Sequence, residues 1–356
     1  MSRYLNAQYQ RLEQYTPGEQ PQDMVYTKLN TNESPFPPAP AVIEAVQTQE
    51  LSRLQLYCDP ECRLLREKIA ERYGVKKENI YVSNGSDDIL NFAFMAFCGE
   101  KREAVFPDIS YGFYQVFADL HGIMATRVPL RDDFSLDYRD YCGRNQLIVI
   151  ANPNAPTGMT IPVSEIEAIV KTNPNTVVVI DEAYVDFGGE SCYPLTAQYD
   201  NLLVVQTFSK SRSMAGARLG FAIGCEALIS DLERLRYSTN PYNVNRMTQM
   251  AGVATMEQDE YYMDNCRTII HVREQTTKKL QELGFLVLPS KANFIFATHP
   301  QIDGGRLYEK LKARGILVRH FNAPRIFQYN RITIGTAEQM AVLLEQIQAI
   351  LKEEGL

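Results

Sequence analysis

Four short segments of this 356-residue chain gather side chains able to do chemistry. At 206–218 the sequence Gln-Thr-Phe-Ser-Lys-Ser-Arg-Ser-Met-Ala-Gly-Ala-Arg follows an apolar run and crowds hydroxyls together with cations. Lys210 stands where a strand-end amine could reach an aldehyde. Thr207, Ser209 and Arg218 suit a bound phosphate. Hydrogen bonds to a charged group are worth about 1.5–3 kcal/mol. A helix terminus at the surface offers about 0.3–1 kcal/mol, so Arg218 is the expected main anchor. A solvated basic loop has the same composition.

The second segment, Val-Val-Val-Ile-Asp-Glu-Ala-Tyr at 177–184, ends an apolar strand on Asp181. A carboxylate there is costly unless something positive meets it. A metal in a nucleotide site, a cationic heterocycle or a plain cap each satisfy that need. The nucleotide reading requires a Gly-Lys phosphate loop, and the chain contains no Gly-Lys pair. The third segment is Ser-Asn-Gly-Ser-Asp-Asp at 83–88, between a strand and a helix. Gly85 suits the turn, and Ser86 and Asp87 open the helix, where backbone N–H groups either cradle an anion or are capped by Ser or Asp. The fourth, Ala-Asn-Pro-Asn-Ala-Pro-Thr-Gly at 151–158, is an irregular loop fixed by two prolines and a glycine.

The elements that position these segments alternate strand and helix. Apolar runs are expected as strands at 80–82, 103–106, 147–151, 176–180, 202–206 and 219–223. Helical patterns lie between them at 86–97, 111–120 and 163–171. Such alternation predicts an α/β fold with a mostly parallel sheet covered on both faces, and ligands then bind beyond the carboxyl ends of the strands. After residue 240 a long helical stretch, 245–283, is broken near Asp259. Short strands and helices follow, as expected of a smaller α+β unit. The expected division is an N-terminal segment, 1–44, that joins the small unit or a partner, a large unit at 45–245 and a small one at 246–356.

With 36 basic and 43 acidic residues the formal charge is −7, a poor partner for a nucleic-acid backbone. Seven cysteines, an odd number without a C-x-x-C pair, read as reduced thiols of a cytoplasmic protein. Residues 1–20 are polar and show no signal peptide, no run approaches a membrane span, and no metal site is expected.

Together the four segments resemble the fold-type I pyridoxal-phosphate (PLP) aminotransferases, class II-like, with matching order from about residue 15 to 335. Within that superfamily the chain is most similar to the histidinol-phosphate aminotransferase family. The pointers are Tyr-Thr-Pro-Gly at 15–18, Leu-Asn-Thr-Asn-Glu-Ser-Pro at 29–35 and Arg-Ile-Thr-Ile-Gly at 331–335. The resemblance implies a seven-stranded sheet in the large unit and assigns roles. Lys210 holds PLP covalently, Asp181 pairs with the pyridine nitrogen, and Tyr184 hydrogen-bonds the ring O3′. Tyr111 stacks on the ring. Gly85, Ser86, Asp87, Thr207, Ser209 and Arg218 hold the phosphate. Tyr57 reaches the phosphate of the other subunit, which implies a homodimer. Tyr15, Asn32, Arg319 and Arg331 fall on substrate positions. The family loop usually reads Asn-Asn-Pro-Thr-Gly; here its second Asn is Ala155, and Asn154 substitutes only if the loop is rotated.

The implied reaction exchanges an amino group between L-histidinol phosphate and 2-oxoglutarate in histidine biosynthesis. Threonine-phosphate decarboxylases and aromatic-amino-acid aminotransferases are similar alternatives. A ligand-sensing regulator on this fold would carry a DNA-binding unit ahead of residue 30, which the short acidic context disfavours. Lys210 must also move a proton, so its pKa is expected to be lowered, by the cationic cofactor.

Overall fold

The computed structural model describes residues 4–6, 9–10, 12–13, 15–47, 51–101 and 103–356, so part of the polar 1–20 stretch lies outside the described residues. In chain order the elements are β1 (Thr27–Lys28), α1 (Pro40–Gln47), α2 (Arg63–Tyr73), β2 (Ile80–Ser83), α3 (Ser86–Phe97), β3 (Glu103–Pro107), α4 (Phe113–His121), β4 (Met124–Val128), β5 (Leu147–Ala151) and α5 (Val163–Thr172). Then come β6 (Val178–Asp181), β7 (Leu202–Thr207), β8 (Gly220–Gly224), α6 (Glu226–Thr239), α7 (Arg246–Glu257), α8 (Asp259–Glu282), β9 (Leu286–Val287), β10 (Phe294–Thr298), α9 (Gly304–Ala313), β11 (Ile316–Leu317), β12 (Arg319–His320), β13 (Asn330–Thr333) and α10 (Ala337–Glu353).

Seven strands form one sheet in the order β2-β8-β7-β6-β5-β3-β4. β8 runs antiparallel to both neighbours and the other pairs are parallel. β5, β6 and β7 are buried along their whole length. Helices cover both faces, so both alternating sets of side chains must be apolar. Val149, Val179, Leu203 and Val205 pack against Phe94 of α3, Tyr114 of α4 and Leu232 of α6. Ile148, Ile150, Ile180 and Val204 pack against Ile166 and Ile169 of α5 on the other face. Because the three strands are parallel, their carboxyl ends share one edge: Ala151 pairs with Asp181, and Asp181 with Val205.

The second sheet, β12-β13-β10-β9, is antiparallel. Its core joins Ile295 and Ile332 to Leu280 of α8 and Leu343 of α10. β1 pairs in parallel with β11, and Leu29 beside it is buried in the same core. The N-terminal segment is thus tied to the C-terminal elements. α7, which follows the expected division at residue 245, packs on the large unit. Val253, Ala254 and Met256 of α7 are buried with Leu65, Val82 and Phe221 of the large unit. A Cβ on Gly252 would stand 2.7 Å from Leu219 Cδ2, so this small-residue helix sits close against the large unit. Gln258 separates α7 from α8. No helix among the described residues is long and apolar enough to cross a membrane.

Candidate active site

A cleft opens at the carboxyl ends of β5, β6 and β7. Its walls include Ser86, Asp87, Tyr111, Ala155, Asp181, Tyr184, Thr207, Ser209, Lys210 and Arg218. Asp181 ends β6 and is 5% exposed. Its Oδ2 accepts from the Tyr114 hydroxyl at 2.8 Å and its Oδ1 from the Ala183 N–H at 3.2 Å. Burial raises its pKa to about 6, while these two bonds oppose the rise. At neutral pH the group is chiefly a buried anion in want of a cation.

At another wall of the cleft, α3 follows Gly85, its N-cap, with φ 89° and no side-chain cap. A Cβ on Gly85 would stand 2.7 Å from Arg218 Nη2, and one on Gly220 would stand 2.5 Å from the Ser86 nitrogen. Only glycine at both positions lets β8, the start of α3 and Arg218 come this close. Arg218 donates to Ser209 Oγ at 3.3 Å and to Asp87 Oδ2 at 3.2 Å. Thr207 Oγ1 donates to Ser209 Oγ at 3.0 Å, and the Tyr111 hydroxyl to Asp87 Oδ1 at 2.7 Å. An uncapped helix N-terminus, two hydroxyls and a guanidinium make a receptor for a compact dianion.

Lys210 lies between this wall and a second cavity. Its Nζ donates to the Thr31 carbonyl at 3.1 Å and sits 5.8 Å over the Tyr184 ring. Burial, then the Arg331 charge, lowers its pKa to about 8. The direction is the expected one, but the protein itself supplies the cause. Just beyond Lys210, buried Arg212 is ion-paired with Asp259 at the start of α8, and Ser211 Oγ donates to Asp186 at 2.6 Å. Both contacts fix the loop that carries the lysine.

The second cavity shares Tyr111, Ala155, Tyr184 and Lys210 with the first and adds Tyr15, Asn30, Arg319, Phe321 and Arg331. Arg331, on β13, donates to the Asn30 carbonyl at 2.9 Å, and its Nε is buried without a partner. Arg319 donates to the carbonyls of Thr16 and Pro17, at 3.1 and 3.3 Å. Backbone carbonyls orient both guanidiniums without cancelling their charge. Tyr15 stacks on Phe113 at 4.1 Å and forms the outer wall.

Two predicted site residues, Asn154 and Asn32, have their amides engaged by neighbouring groups, and Tyr57, expected at the other subunit's cleft, lies on the surface. Asn154 turns away: its Nδ2 donates to the Ile109 carbonyl and to Thr157 Oγ1, each at 3.0 Å, and its Oδ1 accepts from Ser110 Oγ at 2.8 Å. The amide holds its own loop, and Ala155 is the residue at the cleft wall. Asn32 lines the second cavity, and its amide donates to Tyr184 and accepts from Thr333. Tyr57 is 80% exposed, stacks on Tyr242 at 4.5 Å and lines neither cavity of its own chain.

Two residues escape the sequence reading. Tyr114 lies one helical turn after Tyr111, where a buried tyrosine looks like ordinary core. Glu182 faces away from the cleft and accepts from Ser191 Oγ at 2.5 Å, the Cys192 N–H at 2.7 Å and Gln206 Nε2 at 2.8 Å. Burial raises its pKa to about 7. It braces the end of β6 from behind, and its signal was only its place beside Asp181.

Residues 25–347 match the aminotransferase class I and II family. The chain belongs to that family. Among curated relatives, the histidinol-phosphate aminotransferase of Brachyspira hyodysenteriae is 48% identical over 353 residues, 99% of this chain and all of the relative. That of Clostridium acetobutylicum is 45% identical over 348 residues, 98% of this chain and 99% of the relative. The crystal structure of the Sinorhizobium meliloti histidinol-phosphate aminotransferase, in complex with PLP, shares the fold. Its TM-score is 0.87 at 23% identity, with 98% of this chain and 99% of that one covered. The cofactor of this aminotransferase is PLP, and the cleft fits it. The dianion receptor suits the phosphate, buried Asp181 suits a protonated ring nitrogen, and the Lys210 amine lies between them.

Proposed function

We propose that this aminotransferase exchanges the amino group between L-histidinol phosphate and 2-oxoglutarate, yielding imidazole-acetol phosphate and L-glutamate in histidine biosynthesis. Relatives of that name at 45–48% identity over nearly the whole chain support the substrate pair. The observation that carries it is the pair Arg319 and Arg331 on the cavity that also holds Lys210. One site must receive a carboxylate in one half-reaction and a phosphate ester in the other, and a guanidinium fork binds either anion.

When bound, PLP supplies an electron-poor ring that takes up the electron pair left as a proton leaves the amino-bearing carbon. The residues around it have separate tasks. Asp181 keeps the ring nitrogen protonated by offering a buried negative charge. The α3 start, Thr207, Ser209 and Arg218 bind the phosphate, and Tyr111 covers one face of the ring. Tyr184 orients the ring oxygen. Lys210 would hold the cofactor and, as a free amine, would accept the substrate α-proton and redeliver it. A pKa of about 8 leaves part of the amine neutral at physiological pH. Arg331 fixes the substrate anion so that the α-C–H bond is presented to Lys210.

Tyr57 is read as serving the cleft of a second copy, so the active form is a homodimer. Its exposure, and its place on the outer surface beside exposed Leu54 and Leu56, support that reading. The free cysteines suit a cytoplasmic enzyme.

The test is visible absorbance of the purified, PLP-loaded protein during addition of L-glutamate and then of L-histidinol phosphate. Both amines should bleach the cofactor band, and 2-oxoglutarate should restore it. Release of carbon dioxide without dependence on 2-oxoglutarate would replace this reading with a phosphoamino-acid decarboxylase.

A further inference from the structure

The geometry points to Asn32 as a positioning residue that fixes the direction of the Tyr184 hydroxyl proton. This rests on the reading that Tyr184 faces the cofactor. Asn32 is 1% exposed and has φ 55°, a left-handed conformation that asparagine tolerates better than most residues and that its surroundings hold in place. Three groups do so. Its N–H donates to Thr333 Oγ1 at 3.0 Å, its carbonyl accepts from Asn293 Nδ2 at 3.0 Å, and its Oδ1 accepts from Thr333 Oγ1 at 3.0 Å. The remaining contact is Nδ2 to the Tyr184 hydroxyl oxygen at 2.9 Å.

The sense of these bonds follows from donor counting. Thr333 Oγ1 accepts from the Asn32 N–H and donates its one proton to Asn32 Oδ1; with the amide reversed, that proton would face two N–H donors and neither would accept it. The amide edge opposite Oδ1 is therefore NH2, and it donates to Tyr184. A phenol that accepts on this side must send its own proton elsewhere. Tyr184 lines both cavities beside Lys210 and Ala155. Ala155 presents no hydrogen-bonding side chain, so the amide that orients this wall comes from Asn32. The consequence is a one-way chain, Thr333 to Asn32 to Tyr184, that ends with an O–H aimed at an acceptor in the cleft.

The test is the pH dependence of visible absorbance of the PLP-loaded protein. A proton donated to the cofactor's ring oxygen stabilises negative charge there and lowers the pH midpoint of the spectral change. Asn32→Asp replaces the donor by a carboxylate that accepts the Tyr184 proton, reversing the bond. Aspartate tolerates the left-handed backbone. The midpoint should rise by about one pH unit, the size of one hydrogen bond to a charged group, in the same direction as for Tyr184→Phe. In a Tyr184→Phe background the same Asn32 change should move the midpoint little. Thr333→Val, which frees the amide to flip, should give a smaller rise that Thr333→Ser does not.

An unmoved midpoint in folded, loaded Asn32→Asp protein, while Tyr184→Phe shifts it, overturns the role of Asn32. A shift of the same size with and without the Tyr184 hydroxyl also overturns it, because the effect would then be that of an added charge. If Tyr184→Phe itself leaves the midpoint unchanged, the reading of Tyr184 fails first and the proposal falls with it.

Discussion

Replacing Tyr114 by Phe removes one hydroxyl from a fully buried position and leaves the ring in its core. The lost bond, 2.8 Å to Asp181 Oδ2, is one that favours the charged carboxylate. A hydrogen bond to a charged group is worth about 1.5–3 kcal/mol, and 1.36 kcal/mol corresponds to about one pKa unit. The Asp181 pKa, about 6 in the structure, should thus rise by about 1.1–2.2 units. Cofactor binding requires the ionised form, so a raised pKa adds the cost of removing a proton first. Relative to the parent, PLP affinity should fall roughly 2–15-fold at pH 7 and about 7–80-fold at pH 6, but less than about 2-fold at pH 8.5. The assay is equilibrium titration of the apoprotein with PLP at those three pH values, with thermal unfolding as a check on the fold. The decisive feature is the pH dependence. A uniform loss would mean that Tyr114 acts only through packing, and wild-type affinity at pH 6 would refute the link between Asp181 ionisation and cofactor binding.

Two further predictions concern the cations. Because the Lys210 pKa is lowered to about 8, its amine is protonated and unreactive below that value and free above it; the rate of PLP capture by apoprotein, followed by stopped-flow absorbance, should climb through about pH 8 and then level off, and a climb delayed to pH 10 would contradict the burial argument. Arg218→Gln should weaken PLP about 10–100-fold while leaving the affinity for pyridoxal, which lacks the phosphate, within about 2-fold; equal losses for both ligands would remove Arg218 from the phosphate site.

The strands that build the cleft were legible because they are buried on two faces and so cannot hide their apolar runs. The sequences Leu-Ile-Val-Ile-Ala of β5 and Leu-Leu-Val-Val-Gln-Thr of β7 announce themselves, and the reactive residues follow at their ends. β4 did not, because an edge strand with Met124 65% exposed has no need of such a run. α2 keeps only Leu65, Ile69, Ala70 and Tyr73 buried among charged neighbours, and its stripe was too sparse to stand out. In the site, Lys210, Asp181 and Arg218, marked by type and by place after a strand, line one cleft. The contacts of residues held by distant partners were not legible. Asn154 and Asn32 are both asparagines in ordered loops, and nothing local distinguishes the one that holds its own loop from the one bonded to Thr333, 301 residues away.

The placement of charge gives the cleft a property that no single residue has. Lys210 lies between two guanidiniums, Arg331 on the substrate side and Arg218 on the phosphate side, and both lower its pKa. An anion bound at either arginine cancels part of that repulsion. With the cofactor phosphate at Arg218 and a substrate carboxylate or phosphate at Arg331, burial is left as the chief cause of the lowering. The lysine then holds a proton more readily at the stage when it must take one from the substrate carbon. Before substrate arrives, the uncancelled Arg331 charge favours the neutral, nucleophilic amine that captures the cofactor. An anion bound at Arg331 thus raises the basicity of Lys210, which the uncompensated guanidinium lowers. A substrate without an anionic group would lose on both counts, in binding and in proton transfer.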